Sequence, residues 1–147
     1  PSEPLLFTPF KTGNVELKNR ICISPMCLYS CEDGFVNDWH LAHLGARAIG
    51  GAGLVMVEAT AVEPRGRISA GCPGIWKDEH VEPLKRITSF LRSQNSVPAI
   101  QLAHAGRKAS TLPPWFGKDK PLPKEEGWTP VGPSPIGEFT VANLMIT

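Results

Sequence analysis

The chain of 147 residues is poor in the features that direct proteins to membranes, nucleic acids or export. No apolar run approaches the roughly 18 residues that a membrane span needs. Charges nearly cancel, at 15 basic against 14 acidic residues, and no basic cluster favours nucleic acid as a partner. The amino terminus, Pro1 to Pro4, lacks the positive start and apolar core of a secretory signal. We therefore expect a cytoplasmic protein that binds neither membranes nor nucleic acid.

Cysteine is also sparse, and its placement argues against two further classes of protein. The four cysteines are Cys22, Cys27, Cys31 and Cys72. They could pair into disulfides, or three of them could bind zinc together with His40 and His43. However, there is no Cys-x-x-Cys pair, Cys22 lies inside an apolar run, and nothing else indicates secretion. Reduced thiols in a cytosolic protein without a metal site are therefore the prediction.

Short apolar runs that end in polar residues are, by contrast, a repeated feature. The apolar runs occupy residues 21–23, 54–57 and 97–100, and the polar stretches that follow them occupy 24–29, 58–60 and 101–108. A helical pattern lies between consecutive runs. This β-α-β-α-β order predicts an α/β fold with a parallel sheet. Ligands of such folds bind beyond the carboxyl ends of the strands, so the three polar stretches should form one surface.

Periodicity and turn residues predict the individual elements. The predicted strands cover residues 20–24, 54–58 and 97–102, and the predicted helices cover 39–49 and 79–94. Asp38 and Asp78 are the expected N-caps, and Gly50-Gly51 should end the first helix. A hairpin around Thr12-Gly13-Asn14 is expected within residues 5–17. Seven prolines from Pro113 to Pro135 predict either a long ordered loop or a flexible excursion over residues 113–137.

Five strings of residues, taken together and in order, resemble a known family. They are Ser-Pro-Met-Cys-Leu-Tyr (24–29), Asn-Asp-Trp-His (37–40), Gly-Gly-Ala-Gly-Leu (50–54), Glu-Ala-Thr-Ala-Val (58–62) and Gln-Leu-Ala-His-Ala-Gly-Arg-Lys-Ala (101–109). They closely resemble the amino-terminal part of the Old Yellow Enzyme family of FMN-dependent ene-reductases. Cys27 with Tyr29 is similar to the bacterial and fungal branch typified by xenobiotic reductases. The resemblance runs from about Leu6 to about Pro135 and does not extend over residues 138–147.

The resemblance implies a (β/α)₈ TIM barrel with FMN at the carboxyl ends of its strands. Since a complete barrel needs about 250 residues, this chain should be the amino-terminal part, with about three βα units preceded by a β-hairpin cap. The expected division is a cap over 1–19, three units over 20–102, and a long loop with a divergent tail over 103–147. We interpret the chain as an incomplete FMN-binding domain.

Positions that match the family's motifs imply a cofactor site. By resemblance, the 24–27 stretch lines the flavin, with the Cys27 thiol near its reactive edge, where a polarisable sulfur tunes electron affinity. The Ala59 amide would face the polar rim, and the Gln101 amide would bind the alternating C=O and N–H groups of the pyrimidine edge. The implied cofactor-binding residues are Ser24, Pro25, Met26, Cys27, Ala59 and Gln101. Packing alone would also explain Cys27 as a small buried side chain, and backbone binding would explain Gln101.

Other polar and aromatic residues allow two interpretations. Tyr29, by resemblance, faces the substrate above the flavin, but it could equally be an amphipathic residue at the rim. His104 and Arg107 could reach an anion, yet we expect them to support the site through ion-pair and backbone contacts. Core packing or helix capping would explain Trp39, His40 and His43.

The implied function is hydride transfer from NADH or NADPH, through FMN, to a small electron-poor alkene. In the family, a pair of histidines, or a histidine and an asparagine, holds the substrate carbonyl, and a tyrosine donates the proton. These residues come from positions after Thr147. No catalytic residue is therefore expected here, and the chain alone should be inactive. We expect the full-length form to be a homo-oligomer. The alternative is a truncated, non-enzymatic product that associates with another chain through exposed strand edges.

Overall fold

Two small sheets and two long helices form the fold in residues 3–117 and 120–134, the ranges that this computed structural model describes. An antiparallel hairpin consists of β1 (Phe10–Thr12) and β2 (Val15–Leu17). A parallel sheet consists of β3 (Cys22–Ile23), β4 (Leu54–Ala61) and β5 (Val97–Ala103), in that order. Two helices connect its strands, α1 (Asp38–Ile49) and α2 (Val81–Ser93). The predicted hairpin and the three predicted parallel strands are confirmed, with different bounds.

The first helix is capped by a different residue from the one predicted. The side-chain oxygen of Asn37, not that of Asp38, accepts the Trp39 amide at 3.0 Å. In return, Nδ1 of His40 accepts the Asn37 amide at 3.1 Å. This is a capping box in which histidine takes the place of the usual Glu or Gln. The helix ends near Gly51, whose φ of +100° turns the chain away in a region that favours glycine.

The predicted cap of the second helix is also wrong. Asp78 begins a 3₁₀ turn over Asp78–His80, and α2 starts only at Val81, without a side-chain cap. Of the predicted apolar face, Leu84, Ile87 and Leu91 are buried, whereas Val81 at the first turn is 46% exposed. The apolar spacing therefore identified the helix and its inner face, but not where it begins.

The core lies between the parallel sheet and the two helices. Val55 and Val57 of β4 are fully buried against the two helices, where Leu44 of α1 and Ile87 of α2 join the same apolar cluster. Removing a side chain of this size from water contributes about 1.5–3 kcal/mol. On β5, by contrast, Leu102 is 62% exposed, because this strand has a neighbour on one side only within the described ranges. The sheet is open and does not close into a barrel.

The third βα unit differs from the first two in having no long helix in the part of the chain described here. Within the described ranges, the segment that follows β5 contains a 3₁₀ turn (Gly106–Lys108) and the short helix α3 (Pro114–Gly117). Arg67 connects this segment to the rest of the fold. Its guanidinium lies 5.3 Å from the ring centre of Trp76, which precedes α2, and 4.8 Å from that of Trp128, which belongs to the segment. This agrees with the ordered-loop alternative over 113–117 and 120–134. Residues 135–137 of that loop, and the predicted divergent tail, lie outside the described residues.

Across the described ranges, no helix combines the length and the hydropathy required to cross a membrane.

Candidate cofactor site

Three of the predicted cofactor residues meet at the carboxyl ends of neighbouring strands. Ala59 of β4 is the ladder partner of Gln101 of β5. The chain leaves β3 at Ile23, and the loop that follows brings the Cys27 thiol to the backbone amide of Ala59. Residues that are 74 positions apart in sequence, Cys27 and Gln101, are thus placed on either side of Ala59.

The loop after β3 presents a mixed surface at this edge. Ser24 is exposed, Met26 is 51% exposed, and Pro25 is half-buried. Pro25 also has no N–H to contribute to a ladder, which explains why β3 stops short of the predicted Ser24. Gln101 is exposed at the same sheet edge. Apolar atoms and a primary amide are therefore both accessible beside the strand ends.

Cys27 and Tyr29 form a neutral pair beside these strand ends. Burial raises the pKa of the Cys27 thiol, and the nearby Glu58 carboxylate raises it further. The Ala59 amide and the Tyr29 hydroxyl partly oppose that rise. Burial also raises the pKa of Tyr29 to about 12. Both groups are therefore protonated at neutral pH, so the thiol is polarisable without being an activated nucleophile.

The Tyr29 ring is held on a second side by the segment after β5. Its ring centre lies 5.4 Å from that of Trp115, in an edge-to-face arrangement. The backbone of Tyr29 has a φ of +51°, in the left-handed region that non-glycine residues rarely occupy. Tyr29 is thus neither a freely exposed rim residue nor a core residue, and its role toward substrate stays a prediction.

A buried glutamate lies directly behind this loop. Val57 pairs with Ile100 and Ala59 with Gln101, so the ladder slips at Glu58, as at a β-bulge. Its side chain is 3% exposed, and Oε2 accepts the backbone amide of Leu28 at 2.9 Å. Burial raises the pKa of Glu58 to about 7, although the amides of the adjoining loop favour its charged form.

A fully buried histidine contacts the same carboxyl group. Nδ1 of His40 lies 3.1 Å from the Asn37 amide nitrogen and 3.0 Å from Asn37 Oδ1. Nε2 lies 3.3 Å from Cys31 Sγ and 3.6 Å from Glu58 Oε1. Burial, with a smaller effect of His43, lowers the pKa of His40 to about 4. The imidazole is therefore neutral at neutral pH, and its contact with Glu58 is not an ion pair.

The remaining polar residues singled out from the sequence mostly have supporting contacts. His104 Nε2 lies 2.6 Å from Glu63 Oε1, and the Arg107 guanidinium donates to the carbonyl and hydroxyl oxygens of Ser134 at 2.9 and 2.7 Å. These are the ion-pair and backbone contacts that we predicted. His40 is a capping residue, also as predicted. Trp39, however, is 60% exposed and neither packs in the core nor caps, so that expectation is wrong.

No group of three or more potential ligands with metal-site geometry occurs in the described residues, and all four cysteines are free thiols. Cys31 and His40 are in contact with each other, and His40 also contacts Glu58, but these side chains do not form a metal site.

Parallel strands backed by helices, with polar groups and a thiol at their carboxyl ends, define part of an α/β fold of the barrel class. Residues 5–115 match the NADH:flavin oxidoreductase / NADH oxidase family, and the chain belongs to that family.

Known relatives place the chain within larger proteins. It is 48% identical over 141 residues to an NADH:flavin oxidoreductase of Gibberella zeae, covering 94% of this chain and 34% of the relative. It is 59% identical over 106 residues to an NADPH dehydrogenase of Bacillus cytotoxicus, covering 71% of this chain and 31% of that one. The chain therefore spans about a third of the length of the curated relatives it matches.

Solved structures confirm the fold class. Morphinone reductase superposes with a TM-score of 0.74 at 30% identity, over 92% of this chain and 33% of its own. Old Yellow Enzyme from Pichia superposes with a TM-score of 0.67 at 34% identity, over 72% of this chain and 28% of its own. These proteins are TIM barrels, and the open three-stranded sheet corresponds to part of such a barrel.

The accessible groups at the strand ends fit the ring of a flavin. The exposed thioether of Met26 and the half-buried thiol of Cys27 offer soft atoms to a flat ring, and the exposed amide of Gln101 offers both a donor and an acceptor. One difference from the implied arrangement is that the Ala59 amide interacts with the Cys27 thiol in this structure.

The sequence analysis assigned no role to Glu58 or to the contact between Cys31 and His40. The feature of the sequence that could have indicated this site is a charged residue within the largely apolar stretch Leu54–Ala61. Such a residue is buried only at a cost unless it has hydrogen-bond partners, which predicts a specific site.

Proposed function

We propose that this chain is the amino-terminal third of an FMN-dependent ene-reductase. The full-length protein would be a cytoplasmic homo-oligomer that oxidises NADH or NADPH and reduces a small electron-poor alkene. Bound FMN would supply the hydride-transfer chemistry that couples oxidation of the nicotinamide to reduction of the alkene. The observation that carries the proposal is the meeting of Cys27, Ala59 and Gln101 at adjacent strand ends in a chain of this family.

In this proposal the residues of the chain bind and orient the ring. The proposed cofactor-binding residues are Ser24, Pro25, Met26, Cys27, Ala59 and Gln101. Gln101 fixes the pyrimidine edge, the loop after β3 covers a face of the ring, and the neutral Cys27 thiol adjusts its electron affinity. Tyr29 borders the substrate. The groups that polarise the substrate carbonyl and donate the proton are proposed to lie after Thr147.

The test uses the full-length protein purified as a flavoprotein. Gln101→Ala should weaken FMN binding about 3- to 10-fold, as expected for one hydrogen bond of 0.5–1.5 kcal/mol. The matched control is Gln94→Ala, which removes a glutamine side chain at the end of α2, and it should leave FMN binding unchanged. Tyr29→Phe should keep FMN bound and change the KM or turnover of an enone.

Purification without flavin, or equal FMN affinity of the two glutamine variants, would contradict the proposal. If FMN binds and NADPH reduces it but no enone is reduced, only the ene-reductase assignment fails.

A second candidate function has one observation in its favour. The exposed apolar edge of β5, with Leu102 62% exposed, suits a non-enzymatic product that pairs with another chain. An intact-mass measurement of the native protein decides between the two. A species of this length in a stable complex without flavin would support the binding role, and a species about three times longer would exclude it.

A further inference from the structure

The buried carboxyl group of Glu58 lies next to the strand ends at which the flavin is proposed to bind. It is 3% exposed and sits at the slip in the β4–β5 ladder, immediately before Ala59. The basic side chain that contacts it, His40, is itself fully buried, and burial lowers its pKa to about 4. The carboxyl group thus has hydrogen-bond donors without a compensating full positive charge from this contact. Packing alone does not require an ionisable group at such a place.

We propose that Glu58 is a positioning residue that fixes the turn at Tyr29 and places a buried carboxyl group behind the loop that carries the Cys27 thiol. The part that concerns the flavin rests on the proposed function. The part that concerns Cys27 and Tyr29 depends only on contacts within this chain.

The positioning role follows from the backbone of the loop. A non-glycine residue with positive φ, such as Tyr29, stays there only when its surroundings hold it. Oε2 of Glu58 binds the Leu28 amide at 2.9 Å, and the Tyr29 amide also favours the charged carboxylate. On the other side, Gly71 packs so closely that a Cβ at its position would overlap the Tyr29 carbonyl oxygen. Held in this way, the Tyr29 hydroxyl lies close enough to the Cys27 thiol to lower its pKa, against the larger effects of burial and Glu58 that raise it.

The electrostatic role follows from the groups that surround the carboxyl group. Burial is the main cause of the raised pKa of three thiols and a phenol on the loops after β3 and β4, and the Glu58 carboxylate raises each pKa further. A further titratable neighbour of Glu58 lies on α1. These groups are Cys27, Cys31, Tyr29, Cys72 and His40. All of them are uncharged at neutral pH, so ionisation of Glu58 is not cancelled by them. In a water-poor site such a charge acts strongly on its neighbours.

The experiment compares Glu58→Gln with Glu82→Gln in the full-length protein as purified. The first substitution keeps the shape and an oxygen acceptor for Leu28 but removes the charge. The second removes a glutamate from an exposed position on α2, where the side chain is 78% exposed. The rate at which iodoacetamide alkylates Cys27 is followed by mass spectrometry from pH 5.5 to 8, and the exposed Cys22 serves as an internal reference.

At pH 8, Cys27 should be alkylated several-fold faster in Glu58→Gln than in the parent, because loss of the Glu58 charge lowers the thiol pKa and increases the thiolate fraction. At pH 5.5, where the parent carboxyl group is protonated, the two rates should be equal. Glu82→Gln should match the parent throughout. If the protein carries FMN, Glu58→Gln should also shift the two-electron equilibrium about tenfold toward reduced flavin at pH 8, or about 30 mV. That shift should vanish at pH 5.5.

The outcomes separate the two proposals. Alkylation that follows the expected pattern in a protein without flavin supports the role of Glu58 toward Cys27 and contradicts the proposed function. If the protein carries FMN and Cys27 is alkylated at the same rate in Glu58→Gln and in the parent at every pH, the role of Glu58 is overturned and the proposed function stands. If Glu58→Gln does not fold, the pH dependence of Cys27 alkylation in the parent protein tests the proposal. Its Cys27 rate should rise less than tenfold per pH unit from pH 6 to 8, and a full tenfold rise overturns the proposal.

Discussion

At the scale of single residues, the site depends on keeping several ionisable groups neutral. Cys27, Tyr29 and His40 all lie where burial disfavours their charged forms. Glu58 differs, because burial and the loop amides act on it in opposite directions and bring its pKa to about 7. It is thus the group in this cluster whose charge changes near physiological pH.

Glu58 and His40 should give the stability of the full-length protein opposing dependences on pH. The folded pKa of Glu58, about 7, lies above its unfolded value, so the folded state loses stability as pH rises from about 4.5 to 7. The folded pKa of His40, about 4, lies below its unfolded value, so stability is lost as pH falls from about 6.5 to 4. In Glu58→Gln only the histidine effect remains.

The free energy of unfolding of Glu58→Gln, relative to the parent, should therefore increase with pH through that window and then level off. Urea titrations at pH 4.5, 6 and 8 measure it. A constant difference between the two proteins would show that the carboxyl group ionises normally in the folded state.

A second residue-scale prediction concerns Cys27. If it lies against the flavin, Cys27→Ala in the full-length protein should change the FMN reduction potential and the rates of both half-reactions. Its stability should fall much less than the roughly 2–5 kcal/mol typical of cavities left by large core residues. Cys72→Ala is the control, because Cys72 is 1% exposed and should affect stability without moving the potential. An unchanged potential with a large loss of stability would favour the packing role for Cys27.

At the scale of elements, the start of α1 links local sequence to the site. The Asn37 cap satisfies the first turn of the helix and also binds His40, which contacts Glu58. We expect Asn37→Ala to lower the free energy of unfolding by about 1 kcal/mol, the usual cost of losing a cap. Asp38→Ala removes only an exposed ion pair with Arg86, worth about 0–1 kcal/mol. Urea unfolding of both variants measures this, and a larger loss in Asp38→Ala would mean that the cap is misassigned.

The elements could be predicted from sequence to the extent that their signals are local. Apolar runs and turn residues identified the three strands, the hairpin and both long helices. The caps could not be chosen in this way, because Asn37 and Asp38 are both good N-caps and only the folded backbone selects between them. The role of Glu58 was inaccessible for another reason, since its partner Leu28 is 30 residues away and the contact exists only after β3 and β4 have paired.

At the scale of the whole molecule, the open sheet limits what the chain can do alone. The described part contains three parallel strands, and β5 leaves a partly apolar edge uncovered. Parallel sheets are stable mainly when both faces and edges are covered. We therefore expect the isolated 147-residue chain to bind FMN weakly or not at all and to self-associate.

The isolated chain should also show no measurable reduction of an alkene. Each missing donor to the substrate carbonyl would cost about 10²–10³ in rate, in addition to weakened cofactor binding. The measurement is NADPH oxidation with an enone, after gel filtration to detect oligomers and bound flavin. Stoichiometric FMN with NADPH-driven enone reduction in the isolated chain would contradict this prediction.

The packing of Arg67 between the rings of Trp76 and Trp128 makes tryptophan fluorescence a reporter of this part of the structure. The Trp128 indole donates its N–H to the Arg65 carbonyl at 2.9 Å while its ring lies over the guanidinium, so its emission depends on whether the segment after β5 is docked. The same segment places Trp115 against Tyr29. We therefore expect undocking of this segment to change the fluorescence of Trp115 and Trp128, a signal that needs no added dye.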